Sequence, residues 1–168
     1  AAFVSRETRF AEPSLQRATA TLRHRGPDDQ GLFRSAGGHA ALAHVRLSIL
    51  DLSPAGHQPM RYEQGPLWTV FNGEIYNYRD LRRELIMLGH CFRTSSDTEV
   101  IVHLYKDHGP DCVSKLNGMF AFAIWDANQQ TLFVARDPLL AFLSVHRRLP
   151  ASDVRKSSKP SVASVRQS

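Results

Sequence analysis

The sequence has 168 residues, of which 42% are hydrophobic and 22% are charged, as in an ordinary globular domain with one hydrophobic core. Its longest apolar runs, such as Met119 to Trp125, are too short to cross a bilayer, and we expect a cytoplasmic protein without a leader or a membrane partner. The net charge of +5 arises after Leu140, where six cations face one anion, whereas the preceding residues carry 15 of each sign. This neutral main body argues against a nucleic-acid partner.

Two cysteines, Cys91 and Cys112, lie far apart in the chain and form no Cys-x-x-Cys pair. This spacing predicts neither a zinc site nor a disulfide framework. We expect both side chains to be small buried hydrophobes, and we expect no metal site.

The N-terminal residues Ala1 to Val4 have the pattern of the second half of a short apolar strand. A helix is predicted from Pro13 to about Arg23, since Pro is favoured in a first helical turn. The loop that follows concentrates charge around Gly26-Pro27. A solvated connector would explain it, but the charge density favours a loop packed against a polar site, with Arg25 and Asp28 near that site.

A strand is predicted from His39 to Leu50, because small and apolar residues alternate there with polar ones. Arg46 projects from the polar face of this strand. It is either an exposed strand arginine or a guanidinium held rigidly enough to bind a carboxylate through two parallel hydrogen bonds. The segment from Asp51 to Gly65 is rich in Pro, Gly and Ser and predicts a loop.

The central stretch of the sequence is Phe71 to Tyr78. It predicts an apolar strand that starts at Leu67, a tight turn at Asn72-Gly73, and a helix capped by Asn77. This arrangement would place an amide, a backbone N–H and the Glu74 carboxylate together, as a polar substrate requires. The alternative is a plain hairpin turn with a solvated Glu74.

Two helices and a hairpin complete the regular pattern. The first helix runs from Asn77 to Leu88, and the second begins at Ser96, which has capping-box spacing to Glu99. Asp97, in its first turn, either stabilises the helix dipole or binds a ligand. Residues 118–126 and 131–137 predict a hairpin whose first arm is apolar on both faces, which indicates sheets covered by helices.

Five separate motifs occur in the order of one known family. They are Arg25 to Asp28, Ala43 to Ile49, Phe71 to Asn77, Ser96 to Val100 and Leu116 to Ala123. Together they resemble the glutaminase domain of glutamine-hydrolysing asparagine synthetase over residues 1–139. The resemblance implies a class II glutamine amidotransferase of the α+β class, with the N-terminal-nucleophile hydrolase fold. That fold is an αββα sandwich, whose last strands we expect to be missing here.

The resemblance also implies a reaction and a set of partners. Glutamine would be hydrolysed to glutamate and ammonia, which a second domain would use with ATP and Mg²⁺ to amidate aspartate. The glutaminase domain itself would need no cofactor, and the full-length enzyme would be a homodimer.

The resemblance assigns roles to five residues. Asn72 and the N–H of Gly73 would form the oxyanion hole, and Asn72 would also contact the substrate. Arg46 would bind the α-carboxylate of glutamine, and Glu74 and Asp97 its α-ammonium group. The nucleophile of the family is an N-terminal cysteine, which would precede Ala1.

The sequence departs from the family pattern at both ends. About three residues, including the nucleophile, are expected to be missing before Ala1. We predict an amidotransferase domain over residues 1–140 and a basic, disordered, unrelated tail over 141–168. The leading hypothesis is therefore a truncated glutaminase domain that is inactive as written. The alternatives are a glutamine-binding remnant without catalysis, and a domain that serves another ammonia acceptor.

Overall fold

The computed structural model describes residues 1–5, 9–46, 56–62 and 65–137, together with the backbone of 155–156 and 162–166. Its strands and helices are β1 (Ala2–Val4), α1 (Glu12–Ala20), β2 (Asp29–Arg34), β3 (Ala40–Arg46), β4 (Met60–Arg61), β5 (Leu67–Ile75), α2 (Tyr78–Met87), α3 (Asp97–His108), β6 (Gly118–Asp126), β7 (Thr131–Arg136), β8 (Arg155–Lys156) and β9 (Val162–Arg166). None of the helices in these ranges is both long and apolar enough to cross a membrane.

The strands form two antiparallel sheets. The smaller sheet has the order β1-β3-β2, and the larger one the order β4-β5-β6-β7-β9-β8. The longest pairing joins β5 to β6, from Leu67 opposite Asp126 to Ile75 opposite Gly118. This nine-residue ladder is the rigid centre of the larger sheet.

An apolar layer fills the space between the two sheets. Ala40 and Leu42 of the smaller sheet pack with Val70 and Trp125 of the larger one. The alternate residues of β6, such as Phe122, point to the opposite face, where they join the second hydrophobic core. Burial on both faces explains why β6 is apolar at successive positions, as the sequence predicted.

Helices cover the outer face of each sheet. Leu81 and Leu85 of α2 and Ile101 of α3 pack on the larger sheet, and α1 packs on β2 and β3. The layer order is thus helix, sheet, sheet, helix. This confirms the predicted αββα sandwich.

The predicted turn at Asn72-Gly73 is wrong, because β5 continues through these residues to Ile75. The chain turns only at Tyr76-Asn77, where the Tyr76 N–H donates to the carbonyl of Asn117 at 2.7 Å. Gly73 has φ +136°, and a Cβ there would lie 2.1 Å from the Met119 carbonyl oxygen. The glycine is required by close approach to β6 and by its backbone conformation, not by a hairpin turn.

The helix caps differ in part from prediction. Ser96 caps α3 as expected, with its hydroxyl accepting from the Thr98 N–H at 3.1 Å. Asn77 occupies the cap position of α2, but its side chain bonds instead to the Lys115 carbonyl and the Asn117 N–H, both at 2.9 Å. Asn77 therefore fixes the connection into β6.

The structure places one cysteine in the core and the other at the surface. Cys112 is buried as expected, and burial, followed by the nearby Asp111 charge, raises the pKa of its thiol to about 12. Cys91 is exposed, so its predicted burial is wrong. It lies in the connection between α2 and α3, outside both apolar cores.

Much of the remaining sequence prediction lies outside the described residues. This holds for Leu47 to Leu50, for residues 51–55, and for most of 138–168. Within the predicted disordered tail, however, β8 and β9 have extended backbone, and β9 pairs with β7 from Val162 opposite Ala135 to Arg166 opposite Thr131. The edge of β7 that faces away from β6 is thus paired with β9. The boundary at residue 140 stays a prediction.

We expect Phe133→Ala to destabilise the fold by about 3–5 kcal/mol, because it removes a fully buried ring from the core between the larger sheet and its helices. Met87→Ala, on a side chain that is 79% exposed, is the control and should change stability by less than about 0.5 kcal/mol. Urea unfolding of both variants measures the difference. Equal effects would contradict this assignment of the core.

Candidate functional site

Three other parts of the chain converge on one edge of β5. Among the residues that the structure describes, strand β4 pairs with β5 only at Thr69 and Trp68. Beyond these residues, the alternation of a strand directs the main-chain groups of Phe71, Gly73 and Ile75 toward the same edge, which no other described strand covers. Side chains from β3, from residues 56–58 and from α3 reach this edge.

Side chains hold the edge on both sides of Gly73. The Phe71 carbonyl lies 3.1 Å from His44 Nε2, and the Phe71 N–H donates to Gln58 Oε1 at 2.6 Å. The Ile75 N–H donates to Asp97 Oδ2 at 3.1 Å. Gly73 thus lies between two anchored residues of the same strand.

Asn72, Gly73 and Glu74 are exposed to solvent in this part of β5. The structure therefore presents an amide side chain, a backbone N–H group and a carboxylate from one rigid strand. The predicted trio is on a strand edge rather than on a turn, but it remains accessible. This excludes the hairpin-turn alternative for Asn72-Gly73.

Asp97 is the first residue of α3 and is partly buried. Burial raises the pKa of its carboxyl group, hydrogen bonds from Ile75 and Thr98 oppose the rise, and the negative charge of Glu74 adds to it. The two acids are therefore close enough to interact electrostatically. A pair of neighbouring carboxylates is a favourable place for a cation.

Arg46 lies at the end of β3, opposite Asp29 of β2. Its guanidinium group packs directly on Gly56, since a Cβ at residue 56 would lie 2.4 Å from Nη1. The side chain is half-buried, in contrast to the simple exposed arginine that the strand pattern also allowed.

The charged loop of the sequence prediction packs on the backbone of Arg46. A Cβ at Gly26 would lie 2.5 Å from the Arg46 nitrogen, and the Asp28 N–H donates to the Arg46 carbonyl at 3.1 Å. The side chains of Arg25 and Asp28 themselves are exposed. The loop therefore supports the end of β3.

Strand β1 pairs antiparallel with β3, and its N-terminal end is directed toward Arg46. The Ala1 amino group donates to the Ala43 carbonyl at 2.6 Å, and the Ala43 N–H donates back to Ala1 at 2.8 Å. In this antiparallel register, residues added before Ala1 would pass His44 and reach Arg46 after three positions. Burial lowers the pKa of the amino group at Ala1.

Sequence reasoning did not identify two residues that shape the site. His44 was part of a strand pattern, and Gln58 lay within a segment that predicted only a loop. Burial, then the positive amino terminus, lowers the pKa of His44 to about 4, although its bond to Phe71 and the Asp29 charge act in the opposite direction. The Gln-Pro pair at 58–59 gave no signal for a contact across the fold.

The segment 56–58 links the predicted residues of the site. Gly56 contacts Arg46, and Gln58 contacts Phe71 and Thr98, the chain neighbours of Asn72 and Asp97. Arg46 and the chain neighbours of Asn72 and Asp97 therefore lie around one short segment. Within the described ranges, no three His, Cys, Asp or Glu side chains are arranged to hold a metal ion.

A cleft of about 370 Å³ lies elsewhere, at the opposite end of β5. Leu67, Asp126, Thr131 and the last turn of α3 contribute to its walls. None of the predicted site residues lines this cleft.

Comparison with known proteins identifies the family. Residues 2–160 match the family model described as a glutamine amidotransferase domain. The chain belongs to this family. The domain is similar to asparagine synthetase [glutamine-hydrolyzing] 1 of Bacillus subtilis (strain 168), with 40% identity over 155 residues, which are 90% of this chain and 24% of that protein.

Two further relatives are similar to a comparable degree. Asparagine synthetase [glutamine-hydrolyzing] 3 of the same organism is 44% identical over 75% of this chain and 20% of its own length. The amidase chry2 of Gibberella zeae is 45% identical over 73% of this chain and 18% of its own length. The amidotransferase domain thus spans a quarter or less of these relatives.

Solved structures support the fold. The domain superimposes on glutamine phosphoribosylpyrophosphate amidotransferase from B. subtilis with a TM-score of 0.65 and 22% identity, over 97% of this chain and 40% of that one. A second structure, an allosteric regulatory enzyme of purine biosynthesis, gives 0.63 and 23% identity over 98% and 40%. At this level of identity, the likeness shows the N-terminal-nucleophile hydrolase fold alone.

We expect His44 to make the domain sensitive to mild acid. The unfolded chain takes up a proton near pH 6.5 and the folded chain only near 4, so the unfolded state binds more protons between these values. Stability should therefore fall as the pH drops through about 6.5 toward about 4, by about 2 kcal/mol between pH 7 and pH 5.

The measurement is urea unfolding of the domain and of His44→Gln at about pH 7 and about pH 5. Glutamine keeps an N–H donor for the Phe71 carbonyl but does not titrate in this range. The variant should lose less stability on acidification than the parent domain. Parallel losses in both proteins would show that His44 is not the group responsible.

Proposed function

We propose that this domain binds L-glutamine and, within a longer protein, hydrolyses its side-chain amide to supply ammonia for the ATP-dependent amidation of aspartate. The relatives named glutamine-hydrolysing asparagine synthetases support this proposal. The structural observation that carries it is the bond from the Ile75 N–H to Asp97, which brings an acid to the strand that presents Asn72 and Gly73.

Opposite charges would hold the two poles of the amino acid. The Arg46 guanidinium would bind the α-carboxylate, for which its planar fork of donors is suited. Glu74 and Asp97 would bind the α-ammonium group, and an added cation would relieve the repulsion between these acids. The side chain of glutamine would then extend along the edge of β5.

Asn72 and Gly73 would act on the amide of the substrate. Donors from the Asn72 side chain and the Gly73 N–H would stabilise the negative oxygen of the tetrahedral intermediate, an arrangement in which the loss of one donor costs about 100- to 1000-fold in rate. Both donors belong to a strand held by His44, Gln58 and Asp97, so they require little reorganisation.

The nucleophile would be a cysteine three positions before Ala1, where the register of β1 reaches Arg46. Its thiolate would attack the amide carbon, the C–N bond would break with release of ammonia, and water would hydrolyse the thioester to glutamate. The α-amino group of the cysteine would take the thiol proton and deliver it to the leaving nitrogen. Cys91 and Cys112 would not replace this group, since neither falls in a catalytic position of the family, and burial raises the pKa of the Cys112 thiol to about 12.

The remaining parts of the reaction would lie outside this domain. ATP and Mg²⁺ would be bound by a synthetase domain, and the complete enzyme would be a cytoplasmic homodimer. Another ammonia acceptor is the second candidate function, since the amidase chry2, a relative of 45% identity, bears a name other than asparagine synthetase. A domain that binds glutamine without hydrolysing it is the third.

We expect Arg46→Lys to weaken glutamine binding about tenfold or more, because a lysine cannot form two parallel bonds to the carboxylate. Arg83→Lys is the matched control. Arg83 pairs with Asp80 on the exposed side of α2 and should be replaceable without effect. Titration calorimetry with L-glutamine on the 168-residue chain measures both. Equal affinity in the parent and in Arg46→Lys would refute the assigned role.

Hydrolysis is tested separately by placing Cys-Gly-Ile before Ala1 of the 168-residue chain and measuring glutamate release from glutamine. We expect glutamate to be released at a rate that falls to background when serine replaces the added cysteine. A domain that binds glutamine but releases no glutamate in either form supports the binding function instead.

A further inference from the structure

Gln58 occupies an unusual position for a polar side chain. It is 7% exposed and lies in the short segment 56–58, before β4. Its Oε1 accepts from the Phe71 N–H at 2.6 Å, and its Nε2 lies 3.5 Å from Thr98 Oγ1, a long and therefore weak hydrogen bond. The Phe71 donor fixes the orientation of the amide, since only the carbonyl oxygen can accept from it.

These two contacts join the two halves of the candidate site. Phe71 precedes Asn72 and Gly73, the predicted donors to the substrate amide. Thr98 follows Asp97, the predicted partner of the substrate ammonium group. One side chain therefore spans the gap between the N-terminal end of α3 and the edge of β5.

The backbone around Gln58 is held on the other side by the smaller sheet. A Cβ at Gly31 of β2 would lie 2.1 Å from the Gln58 carbonyl oxygen, so the segment packs directly on this strand. The next residue upstream, His57, bonds through Nδ1 to Asp29 Oδ2 at 2.9 Å. Gly56 packs on the guanidinium of Arg46. The position of Gln58 is thus set by the same sheet that carries Arg46.

We propose that Gln58 is a positioning residue that sets the distance between the amide-binding edge of β5 and the ammonium-binding end of α3. It thereby selects an amino acid with the length of glutamine. This inference rests on the proposed binding of glutamine at Arg46, Gly73 and Asp97. Gln58 itself need not touch the substrate.

The test compares L-glutamine with L-norvaline, which has the same ammonium and carboxylate groups but lacks the terminal amide. Affinities are measured by calorimetry on the 168-residue chain, with norvaline as a competitor of glutamine. A loss that affects only general stability weakens both ligands alike, whereas a wrong distance weakens glutamine more. The ratio of the two dissociation constants is therefore the diagnostic quantity.

Three variants make the comparison specific. Gln58→Leu keeps an apolar volume but removes both hydrogen bonds, whereas Gln58→Glu keeps an acceptor for the Phe71 N–H and lets the Thr98 hydroxyl donate instead. Thr69→Val is the matched control, because it removes a buried hydrogen bond of 3.1 Å, to the Ala123 carbonyl, from the same strand. Urea unfolding is measured for each variant.

We expect Gln58→Leu to reduce the preference for glutamine about tenfold, the effect of about 1.4 kcal/mol. Thr69→Val should leave the preference within about twofold although it lowers stability, and Gln58→Glu should restore most of it. If Gln58→Leu does not fold, Thr98→Val removes the other end of the link and should act in the same direction.

A folded Gln58→Leu, or a folded Thr98→Val in its place, with an unchanged preference would overturn the positioning role while leaving glutamine binding intact. A parent chain that binds no glutamine would instead refute the proposed function, and the positioning role with it.

Discussion

The candidate site depends on the pairing of β5 with β6 as far as Ile75. This register keeps Asn72, Gly73 and Glu74 in a strand, although their sequence is typical of a turn. It is possible only because residue 73 has no side chain, since a Cβ there would overlap the Met119 carbonyl oxygen. A rigid ladder at this point gives each group on the edge of β5 a fixed position. A binding site requires this, because its groups must be held close to the geometry that fits the ligand.

The charges around this edge are arranged in two groups. Arg46 stands at the end of one sheet, and Glu74 and Asp97 belong to the other sheet and its helix layer. Between them lie neutral groups, the Gln58 amide and the His44 imidazole, whose depressed pKa keeps it uncharged near neutral pH. These neutral groups leave the positive and the negative end of the site separate. Such a separation suits a zwitterion.

The two halves of the sandwich contribute in different ways. The larger sheet and α3 form the deeper core, with Phe133, Ile101 and Ile124 completely buried. The smaller sheet contributes Arg46 and packs on Gln58 through Gly31. The site therefore lies where the two layers meet, and its geometry depends on contacts across the sandwich rather than on any single element. The family match and the similar solved structures agree with this architecture.

The sequence by itself determined the helices, the hairpin and the order of the family motifs, because local propensity and apolar periodicity are encoded over a few neighbouring residues. It identified Arg46, Asn72, Gly73, Glu74 and Asp97 as candidates. Only the tertiary structure decided that Asn72-Gly73 is part of a strand, because the competing turn signal is overruled by pairing with a segment more than 40 residues away. The roles of His44 and Gln58 were likewise invisible in the sequence, since each depends on a contact with Phe71 that no local pattern records.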